Sequence, residues 1–131
     1  MEYKFLVLDI DGTVTNSQKQ VTKKTLEAVT ALQKRGIPVA IASGRPIQGV
    51  TKVASVLRFQ DFGSFVLPFN GARILNFKTM ECVYAKNLPL HLPGRLVRDA
   101  RENGVGIITY EQDRIIAGTE PDPYMQLEAG I

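Results

Sequence analysis

A short apolar run near the start of the chain ends abruptly in polar residues, and few folds are compatible with this combination. The run is Phe5-Leu6-Val7-Leu8, and it is followed by Asp9-Ile10-Asp11-Gly12-Thr13-Val14-Thr15. Uninterrupted Val, Leu and Ile character is typical of a strand buried on both faces of a parallel sheet that carries helices on each side. Sites in such sheets form at the carboxyl ends of the strands. The sequence therefore predicts that two carboxylates lie where this architecture performs chemistry.

The two acids, Asp9 and Asp11, are separated by one residue, so on a strand their side chains point the same way. Neighbouring carboxylates repel, and the pKa of one of them rises unless a cation lies between them. Two functional interpretations remain open: a shared proton, or a hard divalent metal such as Mg²⁺ with oxygen ligands.

Gly12 and Thr13 directly follow the acid pair and indicate an anion-binding site. Gly12 has no Cβ, so the chain can turn sharply and present backbone N–H groups to an anion, and Thr13 adds a hydroxyl donor. The structural alternative is a strand that ends in an Asx turn, because Asp and Gly are common turn residues. We favour the functional interpretation, since an acid pair, a metal and an anion site together suit phosphoryl transfer through an aspartyl phosphate.

A helix and a second apolar run follow the acidic motif. Thr22 is the predicted N-cap of the helix and Gly36 its predicted end, and Ile37-Pro38-Val39-Ala40-Ile41-Ala42 is the second strand. A strand, a helix and a strand within this length predict a right-handed parallel βαβ unit. Ser43-Gly44-Arg45 then lies beside Asp9, where a hydroxyl, a flexible backbone and a guanidinium can hold phosphate oxygens.

The rest of the chain divides into two predicted parts. A second helix starts at Pro46, and a third strand over residues 64–69 ends at Asn70-Gly71, a pair that by itself favours a turn. A β-hairpin over residues 73–85 completes the first part, which we end at residue 86. After it we predict a helix from Pro93 to Gly104, a hairpin across Glu111-Gln112-Asp113, and no recognisable element over residues 121–131.

Composition excludes several classes of protein. The chain has 131 residues, 44% of them hydrophobic, which is enough for a core, and none of its apolar segments is long enough to span a membrane. A net charge of +3 is too mild to argue for nucleic acid. A single cysteine, Cys82, and an N-terminus that leads directly into a strand predict a cytoplasmic protein. We interpret Lys19, Lys23 and Lys24 as a solvated loop and helix face, with a slight preference for anionic substrates as the alternative.

Three motifs together resemble those of the haloacid dehalogenase (HAD) superfamily, in its Cof-type (IIB) branch. They are Asp9 to Thr15, Ser43-Gly44-Arg45 and Asn70-Gly71-Ala72. The resemblance implies an α/β fold: the N-terminal part of a doubly wound parallel, Rossmann-like core, followed by the beginning of an inserted α/β cap. Residues 1–86 correspond to the core and residues 87–131 to the partial cap.

The same resemblance implies a function, namely Mg²⁺-dependent hydrolysis of phosphate monoesters of small metabolites, sugar phosphates among them. Asp9 is the implied nucleophile, and Asp11 the implied acid and base whose backbone carbonyl also binds the metal, so both are metal-site residues. The remaining implied residues bind the phosphoryl group or the substrate: Gly12, Thr13, Ser43, Gly44, Arg45 and Asn70. The expected partner is a small phosphorylated metabolite, with no nucleic acid and no membrane, and the sequence carries no signal for an oligomeric state.

The sequence departs from the family in one respect. HAD phosphatases also supply a lysine that bridges nucleophile and phosphate, and a later acidic motif that completes the metal site. Lys78 and Lys86 precede or border the cap, so neither lies where that lysine belongs. We therefore expect the chain to be the N-terminal part of a longer protein, and the isolated 131-residue chain to be inactive.

Two alternatives come from other functional classes. A receiver-type signalling module shares the chain length, the parallel sheet and an acid pair after the first strand. Such a module needs a phospho-accepting aspartate at the end of its third strand, where this chain has Phe69-Asn70-Gly71. The other alternative is a non-catalytic binding fragment. A P-loop is excluded because the sequence contains no glycine-rich Gly-Lys-Ser/Thr motif.

Overall fold

A computed structural model describes residues 3–112 and 114–129 of the chain. The structure is a mixed α/β fold with one five-stranded sheet and one two-stranded sheet. It divides into two compact units, Met1–Lys86 and Asn87–Ile131. No helix within the described ranges is both long enough and apolar enough to cross a lipid bilayer.

The first unit is built on a five-stranded sheet whose strands follow the order of the chain. Strands β1, β2 and β3 are parallel, and β4 and β5 continue the sheet in antiparallel orientation. The predicted parallel βαβ unit and the predicted hairpin are therefore confirmed. The elements are β1 (Leu6–Leu8), α1 (Lys23–Lys34), β2 (Val39–Ala42), α2 (Ile47–Val56), α3 (Phe59–Phe62), β3 (Phe65–Leu67), a 3-10 turn (Phe69–Gly71), β4 (Arg73–Asn76) and β5 (Cys82–Ala85).

The prediction that β1 is buried on both faces is wrong for the described sheet. Strand β1 pairs only with β2 there; Val7 of this strand is 53% exposed, and Phe5 directly before it is 45% exposed. An edge strand keeps one row of backbone groups unpaired, and about half of each of these two side chains is open to solvent. The prediction holds instead for β2, where Val39, Ala40 and Ile41 are fully buried.

Helix α1 begins and ends as the sequence predicts. The Thr22 hydroxyl accepts a hydrogen bond from the backbone N–H of Thr25 at 3.2 Å, which satisfies one of the free donors of the first turn. The helix ends at Lys34, and Gly36 adopts a left-handed conformation with φ of 75°. Both signals depend on residues that are close together in the chain. The sequence alone therefore predicts where the helix begins and ends.

Helix α2 supplies much of the core of the first unit. Val50 and Ala54 of this helix, and Leu57 directly after it, are buried and form its apolar face. The short helix α3 was not predicted, and its Phe59 is fully buried with its ring 6.5 Å from that of Phe77 in an edge-to-face arrangement. Arg58, which precedes α3, adopts a left-handed conformation that no glycine marks in the sequence.

A buried polar network joins α1 to the end of α2 and the start of β3. The side-chain amide of Gln33 donates to the carbonyl of Leu57 at 3.0 Å. The Ser64 hydroxyl donates to the Gln33 amide oxygen at 2.6 Å. Gln33 and Ser64 are 6% and 2% exposed, so water does not replace either bond when it is lost.

We expect Gln33→Leu to lower the free energy of unfolding by about 2–4 kcal/mol, because it leaves the Leu57 carbonyl and the Ser64 hydroxyl buried without a partner. The measurement is urea denaturation followed by circular dichroism. Gln60→Leu is the matched control, since Gln60 is an exposed helical glutamine, and we expect a change within about 0.5 kcal/mol there. A loss for Gln33→Leu no larger than that of the control would contradict the role of the network.

The second unit contains α4 (Pro93–Glu102), the hairpin of β6 (Ile108–Glu111) and β7 (Arg114–Ala117), and α5 (Pro123–Ala129). The helix and hairpin confirm the predictions, although Asp113 of the predicted turn lies outside the described residues, as do residues 130 and 131. Helix α5 shows that the prediction of no element after residue 121 is wrong. It packs through the buried Met125, and one buried side chain provides too little periodicity to be recognised in sequence.

Helix α5 is also tied to β6 by a hydrogen bond. The hydroxyl of Tyr110 donates to the Glu128 carboxylate at 2.7 Å. Partial burial and the neighbouring Glu128 carboxylate raise the pKa of Tyr110 to about 12. The phenol therefore remains neutral across the physiological range and keeps its donor role.

Candidate active site

The two acids of the first motif lie in a tight turn rather than on a strand. Strand β1 ends at Leu8, and the backbone N–H groups of Val14 and Thr15 return to the carbonyl of Ile10 at 3.1 and 3.0 Å. Ile10 is 1% exposed and anchors the turn in the core, whereas Asp9 and Asp11 on either side of it are exposed. The burial of Ile10, and not the period of a strand, thus leaves both carboxylates on the outside.

Three loops meet at one end of the sheet, as the parallel topology predicts. The register pairs Leu8 with Ile41 and Ala42 with Leu67, so the three strands end almost level. Each is followed by a predicted site segment, beginning respectively with Asp9, Ser43 and the 3-10 turn that contains Asn70. The described structure therefore brings the three motifs to the same edge.

The carboxylate of Asp11 is held between two cations. The Lys19 ammonium lies 2.8 Å from Oδ1, and Arg45 Nη2 lies 2.9 Å from the same oxygen. Arg45 also donates to Oδ2, through Nη2 at 3.0 Å and through Nε at 3.2 Å. A two-point guanidinium contact of this kind fixes the carboxylate in orientation as well as in position.

These contacts decide the electrostatics of Asp11. The hydrogen bond from Lys19 holds the pKa of Asp11 below its usual value, partial burial opposes this effect, and Arg45 reinforces the lowering. The acid pair in the sequence allows two interpretations, a shared proton and a metal. The contacts argue against a shared proton, because a carboxylate with two cationic partners does not need a proton to offset the charge of its neighbour.

Lys19 is exposed, as predicted for a solvated loop, but it also pairs with Asp11. Asn16 positions this lysine: its side-chain oxygen accepts the N–H groups of Gln18 and Gln20, both at 3.0 Å. The carbonyl of Asn16 accepts the N–H of Lys19 at 2.9 Å. An asparagine that opens a polar segment directly after a site motif is the signal in the sequence that could have pointed to a structured loop.

Asp9 differs from Asp11 in its surroundings. Its backbone carbonyl accepts the N–H of Val14 at 3.3 Å, while its side chain is exposed. Among residues 3–112 and 114–129, no hydrogen bond or ion pair reaches the Asp9 carboxylate. One acid of the pair is thus oriented by cations and the other is open to an incoming ligand.

Ser43 is 9% exposed and is tied to the neighbouring loop. Its N–H donates to the carbonyl of Leu67, and its carbonyl accepts the N–H of Asn70, both at 3.0 Å. Its hydroxyl oxygen accepts the N–H of Arg45 at 3.2 Å. The hydroxyl hydrogen remains available to donate to a phosphate oxygen, as the predicted role requires.

We expect Ser43→Ala to weaken binding of a phosphate analogue such as tungstate by roughly 10- to 100-fold, as for a lost hydrogen bond to a charged group. Calorimetric titration of the complete protein measures the effect. Ser43→Thr keeps the hydroxyl and is expected to retain most of the affinity, and Ser55→Ala alters an exposed serine on α2 as the control. A large fall in melting temperature with unchanged tungstate affinity would instead make the Ser43 hydroxyl purely structural.

Asn70 and Gly44 approach each other closely. A Cβ added to Gly44 would lie 3.2 Å from Oδ1 of Asn70, so the amide occupies the space that a larger residue at 44 would need. Asn70 itself is left-handed, with φ of 54°, a conformation that asparagine tolerates better than most residues. Gly12, with φ of 74°, and the exposed Thr13 complete the turn after Asp11.

The described residues offer a partial set of ligands for a metal. Carboxylate and carbonyl oxygens are the donors that Mg²⁺ prefers, and the open Asp9 carboxylate fits this requirement. The Asp11 carboxylate is engaged by Lys19 and Arg45, so only the backbone carbonyl of Asp11 is left for such a role. No cluster of three or more His, Cys, Asp or Glu suited to a metal occurs among the described residues.

Comparison with known proteins gives a consistent result. Residues 6–128 match the family described as haloacid dehalogenase-like hydrolase. A crystal structure of a haloacid dehalogenase-like hydrolase from Bacteroides thetaiotaomicron is 40% identical, with a TM-score of 0.87 over 98% of this chain and 48% of that one. The HAD subclass IIB sugar phosphatase BT4131 is 25% identical, with a TM-score of 0.76 over 95% of this chain and 46% of that one.

A curated relative adds a similar finding. The Bacillus subtilis protein YxeH, whose name gives phosphatase as a provisional assignment, is 35% identical over 81 residues. The matched stretch covers 62% of this chain and 30% of YxeH. The chain thus spans about half the length of the similar structures and a smaller part of this relative.

Proposed function

Because the chain belongs to the haloacid dehalogenase-like hydrolase family, we propose that the protein is a Mg²⁺-dependent phosphatase acting through an aspartyl phosphate on Asp9. Its substrates are phosphate monoesters of small metabolites, and the likeness to the sugar phosphatase BT4131 favours sugar phosphates. The observation that carries the proposal is the contrast within the acid pair. Asp9 is open to a ligand, and Asp11 is held beside it by two cations.

In the proposed reaction the Asp9 carboxylate attacks phosphorus in line with the ester oxygen. A bond forms between the Asp9 oxygen and phosphorus, the bond to the ester oxygen breaks, and Asp11 gives its proton to that leaving oxygen. Water then attacks the aspartyl phosphate, Asp11 takes the proton of the water, and inorganic phosphate leaves with Asp9 restored. The hydroxyl of Ser43 and the turn at Gly12 and Thr13 hold the transferring oxygens.

The cations around Asp11 matter to this scheme. A carboxyl group whose pKa is lowered holds a proton in only a small fraction of molecules near neutral pH, and in the substrate-free arrangement both cations favour the ionised form of Asp11. A bound phosphoryl group offers Arg45 a second anion, and sharing this guanidinium loosens its hold on Asp11. Arg45 is suited to this exchange, because its planar guanidinium binds carboxylate and phosphate with similar geometry.

A bound Mg²⁺ would stabilise the negative charge that spreads over the phosphoryl oxygens in the transition state. Asp9 and the backbone carbonyl of Asp11 are the residues of this chain that would hold it. We propose that further acidic ligands come from outside this chain, since the described residues contain no larger acidic cluster. For this reason we expect the isolated 131-residue chain to be inactive, and we assign the activity to the complete protein.

The two alternatives have less support. The structure places Asn70, and not an aspartate, after β3, so the residue that would accept phosphate in a receiver module is absent from the described loop. A protein that only binds a ligand would not require an Asp9 carboxylate without partners next to an Asp11 carboxylate that two cations hold.

The test uses the complete protein and a panel of sugar phosphates and other phosphate monoesters. We expect release of inorganic phosphate that requires Mg²⁺ and stops when the metal is removed by a chelator. Borohydride reduction during turnover, followed by mass spectrometry, should convert Asp9, and not Asp11, to homoserine through its acyl phosphate. Robust hydrolysis without any modification of Asp9 would refute the aspartyl-phosphate route while leaving the phosphatase activity in place.

A further inference from the structure

The positive charge at Asp11 exceeds what this one carboxylate needs. Lys19 and Arg45 both pair with Oδ1, at 2.8 and 2.9 Å, so two cations share one anion. Their accessibility differs: the side chain of Arg45 is 19% exposed and that of Lys19 is 67% exposed. The side chain of Arg45 is thus largely enclosed, while most of the Lys19 side chain is open to solvent.

The loop that carries Lys19 has a defined conformation that hydrogen bonds maintain. Lys19 has a positive φ of 60°, a conformation that costs free energy for a residue with a Cβ and persists only where the surroundings impose it. The surroundings are the hydrogen bonds around Asn16: its N–H donates to the carbonyl of Gln20 at 2.9 Å, and its side chain accepts two further N–H groups. The structure therefore holds the backbone of Lys19 in a strained form that directs a cation to Asp11.

We propose that Lys19 binds the leaving-group part of the substrate, and that among sugar phosphates and other small phosphate monoesters the site prefers those whose leaving group carries a second anionic group, such as a carboxylate. The inference rests on the proposed function, in which Asp11 touches the ester oxygen of the leaving group. An ammonium 2.8 Å from Asp11 is then within reach of groups bonded close to that oxygen. A lysine suits this task, because its charge lies on a flexible stem that follows leaving groups of different length.

The structural alternative is an ordinary exposed ion pair, which contributes little to stability and nothing to selectivity. The two interpretations differ in one respect. An ion pair that merely orients Asp11 affects every substrate equally, whereas a cation that binds the leaving group discriminates by the charge of that group.

The experiment uses three substrates of similar size in the complete protein: 2-phosphoglycolate, 2-hydroxyethyl phosphate and 2-aminoethyl phosphate. Their leaving groups are negative, neutral and positive. We expect kcat/KM to fall in that order, and Lys19→Met to lower the ratio of kcat/KM for phosphoglycolate to kcat/KM for the neutral substrate about 10- to 100-fold, as for a lost charge-assisted contact, whatever its effect on the neutral substrate alone. Lys19→Arg should restore the order, and added salt should shrink the preference.

Lys23→Met is the matched control, because Lys23 is 89% exposed and pairs with Glu27 on its own helix. It should leave all three values unchanged. If turnover is present but Lys19→Met lowers all three substrates by the same factor, or none of them, the inference is overturned while the proposed phosphatase function stands.

A binding measurement separates the two proposals if none of the three substrates is turned over. Calorimetric titration of Asp9→Asn with phosphoglycolate and with 2-hydroxyethyl phosphate then decides. Tighter binding of phosphoglycolate that is lost in Asp9→Asn/Lys19→Met supports the anion site at Lys19 even if the phosphatase function fails. Equal binding of the two ligands overturns the inference.

Discussion

Replacing Asp9 with asparagine is expected to lower kcat of the complete protein by at least about 10³-fold, because the amide keeps the shape of the side chain but removes the attacking negative charge. The carboxylate of Asp9 has no hydrogen-bond or ion-pair partner within the described residues. The substitution should therefore leave folding almost unchanged. The measurement is steady-state release of phosphate from an aryl phosphate, together with the melting temperature.

Asp61→Asn is a suitable control for the Asp9 variant. Asp61 belongs to the same unit and pairs with Arg58 at 2.7 Å on α3, so its substitution removes one carboxylate charge without touching the site. We expect full activity in this variant. Turnover by Asp9→Asn comparable to that of Asp61→Asn would rule out Asp9 as the nucleophile.

The second large effect is expected for Asp11→Asn, and its size should depend on the leaving group. Loss of general acid catalysis costs typically about 10²- to 10⁴-fold, and we expect a loss in this range for alkyl phosphates, whose leaving oxygen must be protonated. With 4-nitrophenyl phosphate the loss in the first step should be much smaller, because the phenolate leaves without a proton. Since the second step also needs Asp11 as a base, the phosphoenzyme should accumulate with the aryl substrate.

The experiment for Asp11→Asn is a series of aryl and alkyl phosphates graded by the pKa of the leaving alcohol. The logarithm of kcat/KM should fall more steeply with that pKa in Asp11→Asn than in the unsubstituted protein. The Asp61→Asn variant again serves as the control, because it removes an exposed ion pair with a short N–O distance like the one lost at Asp11. Identical slopes in the two variants would show that Asp11 acts only by holding Lys19 and Arg45.

Much of the fold could be read from local patterns. The cap at Thr22, the left-handed Gly36 and the apolar face of α2 depend on residues that are neighbours along the chain, so the sequence contains the whole signal. Elements with weak local signals were missed. Helix α5 buries mainly Met125, and α3 follows a left-handed Arg58, a residue type that carries no preference for that conformation.

The candidate site was predictable to a similar extent. A parallel βαβ unit must bring the ends of β1 and β2 together, so the proximity of Asp11 and Arg45 follows from topology, although 34 residues separate them. The topology does not predict which side chains pair with Asp9 or with Asp11. Whether a cation pairs with Asp9 or with Asp11 depends on a difference of a few ångströms in side-chain position, which topology does not specify.

The amino-acid sequence by itself determined the order of the strands and of the helices α1, α2 and α4, the parallel βαβ unit and the edge of the sheet at which the motifs gather. These features arise from periodicity, caps and chain connectivity, all of which act locally or through the handedness of the crossover. Only the tertiary structure decided that Lys19 and Arg45 both hold Asp11 and that Asp9 stays open. Such contacts depend on the conformation of one loop, and the hydrogen bonds of Asn16 select that conformation from several that the same polar residues could adopt.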